Sequence, residues 1–453
     1  MTAPVIVWLR RDLRLADQAA FAAAASAGPV IPVYVLDDET AQHRKLGGAS
    51  RWWLHHSLAS LDGDLRKLGS RLILRRGKSD EILASLAEES GARQVHALRH
   101  YEPWWRNAER AVGKSLDLHL HDGNYLTPPG TLLTGGGTPY KIFTPFYRAA
   151  LGQLPPPQPT AAPKLEAPGK WPKSDKLDDW DLLPTKPDWA GGMRDDWTPG
   201  EAPAAEAVDD FLDRVGEYEI ARNLPSIDGS SRLSPHLHWG EVSPATVWHA
   251  LNEQRGEGAE SFRRELFWRD FAQNLIAAFP DYPERGFNEA VGRIEWRKSK
   301  SDFEAWQQGR TGYPIVDAGM RQLWATGWMH NRVRMIAASF LIKHLLIDWK
   351  QGERWFWDTL VDADYASNGV NWQWVSGSGL DASMWVRIMA PLSQSAKFDA
   401  AGYIRQWVPE LAQLGDEAIH DPVFRPRGYP DPLIGHREAR ERALAAHRAA
   451  RAG

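Results

Sequence analysis

The chain has 453 residues with no Cys, 23 Trp, 38 Gly and 31 Pro, and an ordinary 25% of charged residues. Without Cys, a disulfide framework, a thiolate nucleophile and a Cys-bound zinc or iron–sulfur cluster are excluded. With 54 basic against 58 acidic residues the net charge is −4, so a nucleic-acid partner would have to be met by a local patch.

The apolar run Ile336 to Leu346 is broken by Lys343 and His344 and falls short of the roughly 20 residues that span a bilayer. Met1 to Leu9 enter a strand-like run with no basic segment before it, so no signal peptide is expected and a cytoplasmic, membrane-free protein is. From the N-terminus, Val5 to Leu9, Val30 to Leu36, Arg71 to Leu74, Gln94 to Leu98 and Leu116 to Leu120 read as strands. Ala16 to Ala25, Ser50 to Leu68, Ser79 to Ser90 and Trp104 to Gly113 read as the helices between them. This alternation predicts a five-stranded doubly wound parallel sheet over residues 1–130. The first strand runs into Arg10-Arg11-Asp12-Leu13-Arg14 without Gly-x-Gly-x-x-Gly, which gives no support to a Rossmann dinucleotide site.

Residues 131–203 lose periodicity and gather Pro, Gly, Asp and Lys, with Trp171, Trp180, Trp189 and Trp197 interspersed, as in a long linker laid over a surface. Residues 204–453 read as an all-helical domain: Ala204 to Leu224, Ser243 to Gln254, Ser261 to Ala278, Ser301 to Gln308, Val316 to Thr326, Met329 to Trp349 and Gly352 to Leu360. The Arg-rich C-terminal stretch reads as a solvated helix.

Three segments of this second domain carry chemistry-bearing residues. Glu265, Trp268, Arg269 and Ala272 share one helix face, as do Asn331, Arg334, Met335 and Ala338, and polar groups on a face continuing into an apolar run need ligands or acidic partners. Such partners lie in Asp362 to Trp374, which is too polar for a core strand and so rich in Gly and Asn that a loop is expected. Asp228 to Leu237, with Ser230, Ser231 and Ser234, is a hydroxyl-rich turn leading into a helix, suited to capping or to phosphate. The 15 His show no metal-ligand spacing, and there is no nucleophile elbow or Walker loop.

In order and spacing, Val7-Trp8-Leu9-Arg10-Arg11-Asp12-Leu13-Arg14, Asp228-Gly229-Ser230-Ser231-Arg232-Leu233-Ser234, Trp268-Arg269-Asp270-Phe271, Thr311-Gly312-Tyr313-Pro314-Ile315-Val316-Asp317-Ala318, Gly327-Trp328-Met329-His330-Asn331-Arg332 and Asn371-Trp372-Gln373-Trp374 resemble the photolyase/cryptochrome flavoproteins. The resemblance spans nearly the whole chain and implies an α/β antenna domain joined to a helical domain that holds FAD. Carried over by position, Tyr218, Ser230, Ser231, Leu233 and Ser234 resemble the phosphate and ribityl contacts. Arg334 and Asp362 resemble the ion pair beside the isoalloxazine, and Asp364 and Arg269 fall among the other cofactor contacts. Asn368 falls where the family places a residue against flavin N5, and Asn there resembles the repair branch.

On the substrate side, Glu265 and Asn331 resemble residues that hydrogen-bond a flipped-out pyrimidine dimer, Trp268 and Trp374 the flat surfaces against it, and Arg222, Arg332 and Arg387 contacts to flanking phosphates. Met335 stands where (6-4) photolyases and animal cryptochromes resemble each other in having His. The resemblance therefore points to light-driven repair of cyclobutane pyrimidine dimers in UV-damaged DNA by a monomeric carbon–carbon lyase, a deoxyribodipyrimidine photo-lyase. A cryptochrome-like blue-light receptor and a (6-4) photolyase are the alternatives. Trp372, Trp349 and Trp296 resemble the family's three-indole electron relay.

Two places are less determined. Trp385-Val386-Arg387-Ile388-Met389-Ala390-Pro391 has Met389 and Ala390 where the family's run resembles Phe-Asn, which bears on DNA contacts. For the antenna, Glu102 with Trp104 or Trp105 suits hydrogen bonding and stacking of a pterin, while His100 stands where deazaflavin-binding relatives resemble one another in an Asp. Methenyltetrahydrofolate is the favoured second chromophore, with a deazaflavin or none as alternatives.

Overall fold

The structure, a computed structural model, describes residues 2–381 and 387–452. Five β-branched or apolar runs form a parallel sheet: β1 Val5–Leu9, β2 Val30–Leu36, β3 Ile73–Arg76, β4 Gln94–Leu98 and β5 Asp117–His121, in the order β3-β2-β1-β4-β5. β1 and β2 are buried throughout, as expected of central strands covered on both faces. Helices Ala19–Ala27, Gly48–Lys67, Ser79–Ser90 and Pro103–Val112 supply the crossovers.

The strand order reverses between β1 and β4, and in open α/β sheets ligands bind outside the carboxyl ends of the strands at such a point. Here buried ion pairs fill it. Arg10 pairs with Glu109 at 2.7 Å, Arg11 pairs with Glu102, and the buried Asp12 accepts from the Arg10 main-chain N–H at 2.6 Å.

Segment 131–203 is packed rather than free. Phe143, Phe146 and Ala150 of the helix Phe143–Ala150 lie in the core of the helical domain, whereas Trp180, Met193 and Trp197 join a core on one face of the sheet. Beyond residue 200 the regular structure of the described residues is helical. Among the described residues no helix is long and apolar enough to cross a membrane.

Three expectations are corrected. Ala204 to Leu224 is not one helix: Glu201–Leu212 ends, and a short turn leads to Tyr218–Ala221. Met329 to Trp349 divides into Asn331–Ser339, a wider turn at Phe340–His344, and a new helix Trp349–Thr359 whose N-cap, Asp348, accepts from the Lys350 N–H at 3.1 Å. The expected loop at Asp362 to Trp374 is largely the helix Tyr365–Ser376, capped by Asp364, which accepts from the Ser367 N–H at 2.7 Å, and stopped by the left-handed Gly377. Its glycine marks close packing, since a Cβ on Gly369 would lie 2.5 Å from Pro283. The C-terminal stretch is the helix His436–Ala452, as expected.

Candidate functional site

A cavity of about 490 Å³ opens in the helical domain, within the size range of cofactor sites. Both side-chain stripes face it. From the helix Glu257–Ala278 come Glu265, Trp268, Arg269 and Ala272, and from Asn331–Ser339 come Asn331, Arg334, Met335 and Ala338.

The second stripe finds the acidic partner it needs. Arg334 donates through Nη1 and Nη2 to Asp362 Oδ1 and Oδ2 at 3.1 and 2.8 Å, while its Nε donates to the Met329 carbonyl at 2.7 Å. Ser234 Oγ donates to Asp362 Oδ2 at 2.6 Å, which ties the hydroxyl-rich turn to the same carboxylate. Ser230, Ser231 and Ser234 of that turn line the cavity together with Tyr218 of the helix Tyr218–Ala221, whereas the Leu233 side chain is fully buried in the core. Arg232 adopts a left-handed backbone conformation, pairs with Asp196 and packs 4.2 Å from the Trp197 ring.

Asp364 uses one oxygen to cap its helix. The other lies 3.5 Å from Arg11 Nη1 and 3.9 Å from His238 Nδ1, so the double Arg after β1 reaches the cavity wall. Asn368 also lines the cavity, and its amide is oriented from behind: Nδ2 donates to Glu353 Oε1 at 2.9 Å and to the Glu353 carbonyl at 3.0 Å. Glu353 in turn accepts from Arg44 at 2.8 and 3.0 Å. Burial pushes the Glu353 carboxyl up, against the pull of the Arg44 charge.

On the first stripe Glu265 accepts a hydrogen bond from Arg222, which also lines the cavity and sits 5.1 Å over the Tyr218 ring. Trp268 is 37% exposed, and one of its faces is stacked on Phe143 at 3.5 Å and 8°. Trp374 and Trp372 also line the cavity. Arg269 touches the cavity, but its Nη groups donate to the Asn124 and Leu237 carbonyls, so it joins the loop after β5 to the helix Ser234–Trp239.

Arg222 and Arg332 lie near each other and near Arg387. Burial and these two neighbouring cations lower the Arg332 pKa, and its guanidinium stacks 4.4 Å from the Phe398 ring. Arg387 is exposed; neither it nor Arg332 lines the cavity. Trp385 and Val386 lie outside the described residues; Met389 is buried.

Of the three relay candidates, Trp372 lies edge-on to Phe356 at 5.0 Å and to Trp306 at 6.4 Å. Trp349 is buried in the same core and Trp296 is half-buried against it. Both stand back from the cavity.

Glu102 is wholly buried on Arg11, and Trp104 is buried edge-on against Tyr365 at 4.9 Å and Trp357 at 6.3 Å, so both are engaged within the protein. Sequence reasoning missed Arg44, Glu353 and His238. The first two lie 309 residues apart, and no local pattern marks such a pair. His238 lies one residue beyond the hydroxyl-rich segment Asp228 to Leu237, and the absence of metal-ligand spacing among the histidines gave no reason to single it out.

Comparison with known proteins agrees with this architecture. A family model described as DNA photolyase matches residues 5–164, and one described as the FAD binding domain of DNA photolyase matches residues 262–449. The chain is 49% identical to a deoxyribodipyrimidine photo-lyase of Agrobacterium fabrum, over 99% of this chain and 98% of that protein. It is 35% identical to cryptochrome-1 of Arabidopsis thaliana, over 96% of this chain and 69% of that protein. The crystal structure of a bacterial class III photolyase from Agrobacterium tumefaciens superimposes with a TM-score of 0.96 at 48% identity, covering 100% of this chain and 98% of that one.

Proposed function

The chain belongs to the photolyase/cryptochrome family, and from that premise we propose that it is a deoxyribodipyrimidine photo-lyase that splits cyclobutane pyrimidine dimers in UV-damaged DNA with light and FAD. The observation that carries this reading is one cavity lined both by an FAD-type donor set and by the lesion-facing residues Glu265, Asn331, Trp268 and Trp374.

The residues present fit FAD. Arg334 and Asp362 form a fixed charge pair, Ser230, Ser231 and Ser234 present hydroxyls, and the His238 Nε2 is buried without a protein partner in a side chain that lines the cavity. Tyr218, the serines and the main chain at Leu233 would hold the phosphate and ribityl part, Arg334 and Asp362 would flank the ring system, and Asp364 and Arg269 would shape the remainder. Asn368 has its NH2 tied back to Glu353, which leaves Oδ1 as an acceptor. Bound and fully reduced, FAD supplies the light-driven electron that opens the dimer and then takes it back.

The chain's own residues position the lesion. Glu265 and Asn331 accept and donate hydrogen bonds to the extruded bases, and Trp268 and Trp374 replace the stacking lost on flipping, which costs least at an already distorted dimer. Arg222, Arg332 and Arg387 form a local basic cluster on a near-neutral protein and hold the flanking phosphates without reading sequence. Trp372, Trp349 and Trp296 are assigned to carrying an electron inward from the surface. Met335 in place of His favours the cyclobutane dimer over the (6-4) lesion. Methenyltetrahydrofolate remains the favoured antenna, with Glu102 and Trp104 as its candidate contacts and a deazaflavin or none as alternatives; the absorption spectrum of the purified holoprotein identifies it. We also retain the division into 1–130, 131–203 and 204–453, and a cytoplasmic monomer as the working form.

The similarity to cryptochrome-1 supports a second reading, a blue-light receptor that repairs nothing. Illuminating the reduced protein with oligonucleotides carrying either lesion, with a dark control, separates the readings. Repair of the cyclobutane dimer alone is expected; repair of neither supports the receptor, and repair of only the (6-4) product supports the (6-4) photolyase.

A further inference from the structure

Arg44 belongs to the α/β domain, in the short turn Gln42–Arg44 between β2 and the next helix, yet it is 4% exposed and its charge is satisfied by the helical domain. Its Nη1 donates to Glu353 Oε1 and Oε2 at 2.8 and 3.0 Å, its Nε donates to Glu284 at 2.6 Å, and the guanidinium lies over the Tyr365 and Trp357 rings at 5.2 and 5.5 Å. Glu353 is 1% exposed. A carboxylate so deeply buried is costly unless a cation and hydrogen bonds meet it, and the groups facing it are Arg44, Glu284 and the Asn368 amide.

The ionisation of Glu353 has a geometric consequence. A carboxylate only accepts, so together with the Glu353 main-chain carbonyl it obliges Asn368 to turn its NH2 backwards and leaves the carbonyl oxygen as the amide's other end. A protonated Glu353 is able to donate to the amide oxygen instead, which leaves the Glu353 main-chain carbonyl as the one acceptor still holding the NH2 backwards. We propose that Arg44 is a positioning residue for the cofactor: reaching across the domain boundary, it holds Glu353 as an acceptor and thereby fixes which end of the Asn368 amide meets the flavin. The inference rests on the reading that FAD fills this cavity with its ring beside Asn368. It makes the α/β domain a contributor to flavin chemistry, through a contact unrelated to light harvesting.

The test uses the holoprotein, with FAD content measured for every variant. Flavin is reduced anaerobically by light, air is admitted in the dark, and the return of oxidised-flavin absorbance is timed for R44Q, R44K, E353L and N368A. An acceptor at Asn368 stabilises the protonated N5 of the reduced ring, so R44Q, E353L and N368A are expected to reoxidise about five- to tenfold faster, the worth of one well-placed hydrogen bond. R44K, which keeps the charge, stays within about twofold of the parent, and R44Q/E353L is no faster than either single variant because both act by one route. If R44Q retains FAD and the parental rate, or if R44K is as fast as R44Q, the inference is overturned. Parental behaviour of N368A overturns the placement of the ring beside Asn368 as well, whereas a fast N368A with a parental R44Q removes only the role of Arg44. Should R44Q fail to fold, E353L decides: a rate matching N368A supports the relay and a parental rate overturns it.

Discussion

Arg334 and Asp362 face each other through two parallel hydrogen bonds, Nη1 to Oδ1 at 3.1 Å and Nη2 to Oδ2 at 2.8 Å, with the Asp362 side chain 5% exposed. Charge-assisted bidentate pairs are among the stronger polar contacts, and removing one member leaves the other short of a partner. In D362N the shape persists while the charge is lost, so Arg334 and Ser234 both lose their preferred acceptor. FAD is expected to bind about 10- to 100-fold more weakly, in line with the worth of a hydrogen bond to a charged group. Fluorescence of flavin released on dilution measures this, and unchanged affinity would remove the pair from the cofactor site.

Glu265 is held by Arg222 with both side chains partly exposed, so the pair is screened and contributes little to stability. Its value lies in what it presents to a substrate. E265A is expected to keep its flavin spectrum and fold while repairing a dimer-containing oligonucleotide about tenfold less efficiently, and E265Q, which retains hydrogen-bonding capacity, loses less. Recovery of base absorbance under illumination gives both rates. Equal repair by E265A and the parent protein would show that Glu265 does not touch the lesion.

How far the site was legible depended on whether its parts were local. Strands β1, β2 and β4 match their apolar runs because a buried parallel strand must be apolar on both faces. The two side-chain stripes were legible because a helix face repeats at three and four residues. The helix Tyr365–Ser376 was misread because its Gly and Asn suggest a turn; Gly369 is required by Pro283, and Asn368 by Glu353, neither of which is near in sequence. Nor does any local pattern mark the neighbours of Glu102 and Trp104, which follow β4 at the sheet's carboxyl edge and lie against Arg11 and Tyr365.

Buried histidines make the fold sensitive to acid. From an ordinary value of 6.5, His100 and His344 are pushed down to about 3 and His330 to about 4, in each case chiefly by burial, with cations such as Arg10, Lys343 and Arg332 adding to it. In the folded state they stay neutral while the unfolded chain takes up protons below about pH 6.5. The unfolded state therefore binds more protons in that window, and stability falls as pH drops from about 6.5, levelling only below the folded values. At pH 5 each such histidine costs about 2 kcal/mol. Urea midpoints measured between pH 7 and 5 should decline steadily, and H344Q should flatten the slope whatever it does to stability at pH 7. A parallel decline in H344Q would show that His344 is protonated in the folded protein.

Gly352 sets the position of Trp372. A Cβ there would lie 2.1 Å from the Trp372 ring and 2.6 Å from the Leu341 side chain, so the helix Trp349–Thr359 packs against the indole only because residue 352 has no side chain. Overpacking of this kind typically costs about 1–3 kcal/mol, more than the helix-propensity gain of alanine returns. G352A should therefore lower the melting temperature and displace the Trp372 ring. If Trp372 carries the electron that reduces the flavin, G352A and W372F should both slow photoreduction of oxidised protein, while chemically pre-reduced protein still repairs dimers. Photoreduction at the parental rate in W372F would remove Trp372 from the relay. A G352A variant that loses stability but keeps that rate would show that the relay tolerates a shifted ring, because displacement moves the indole without altering its chemistry.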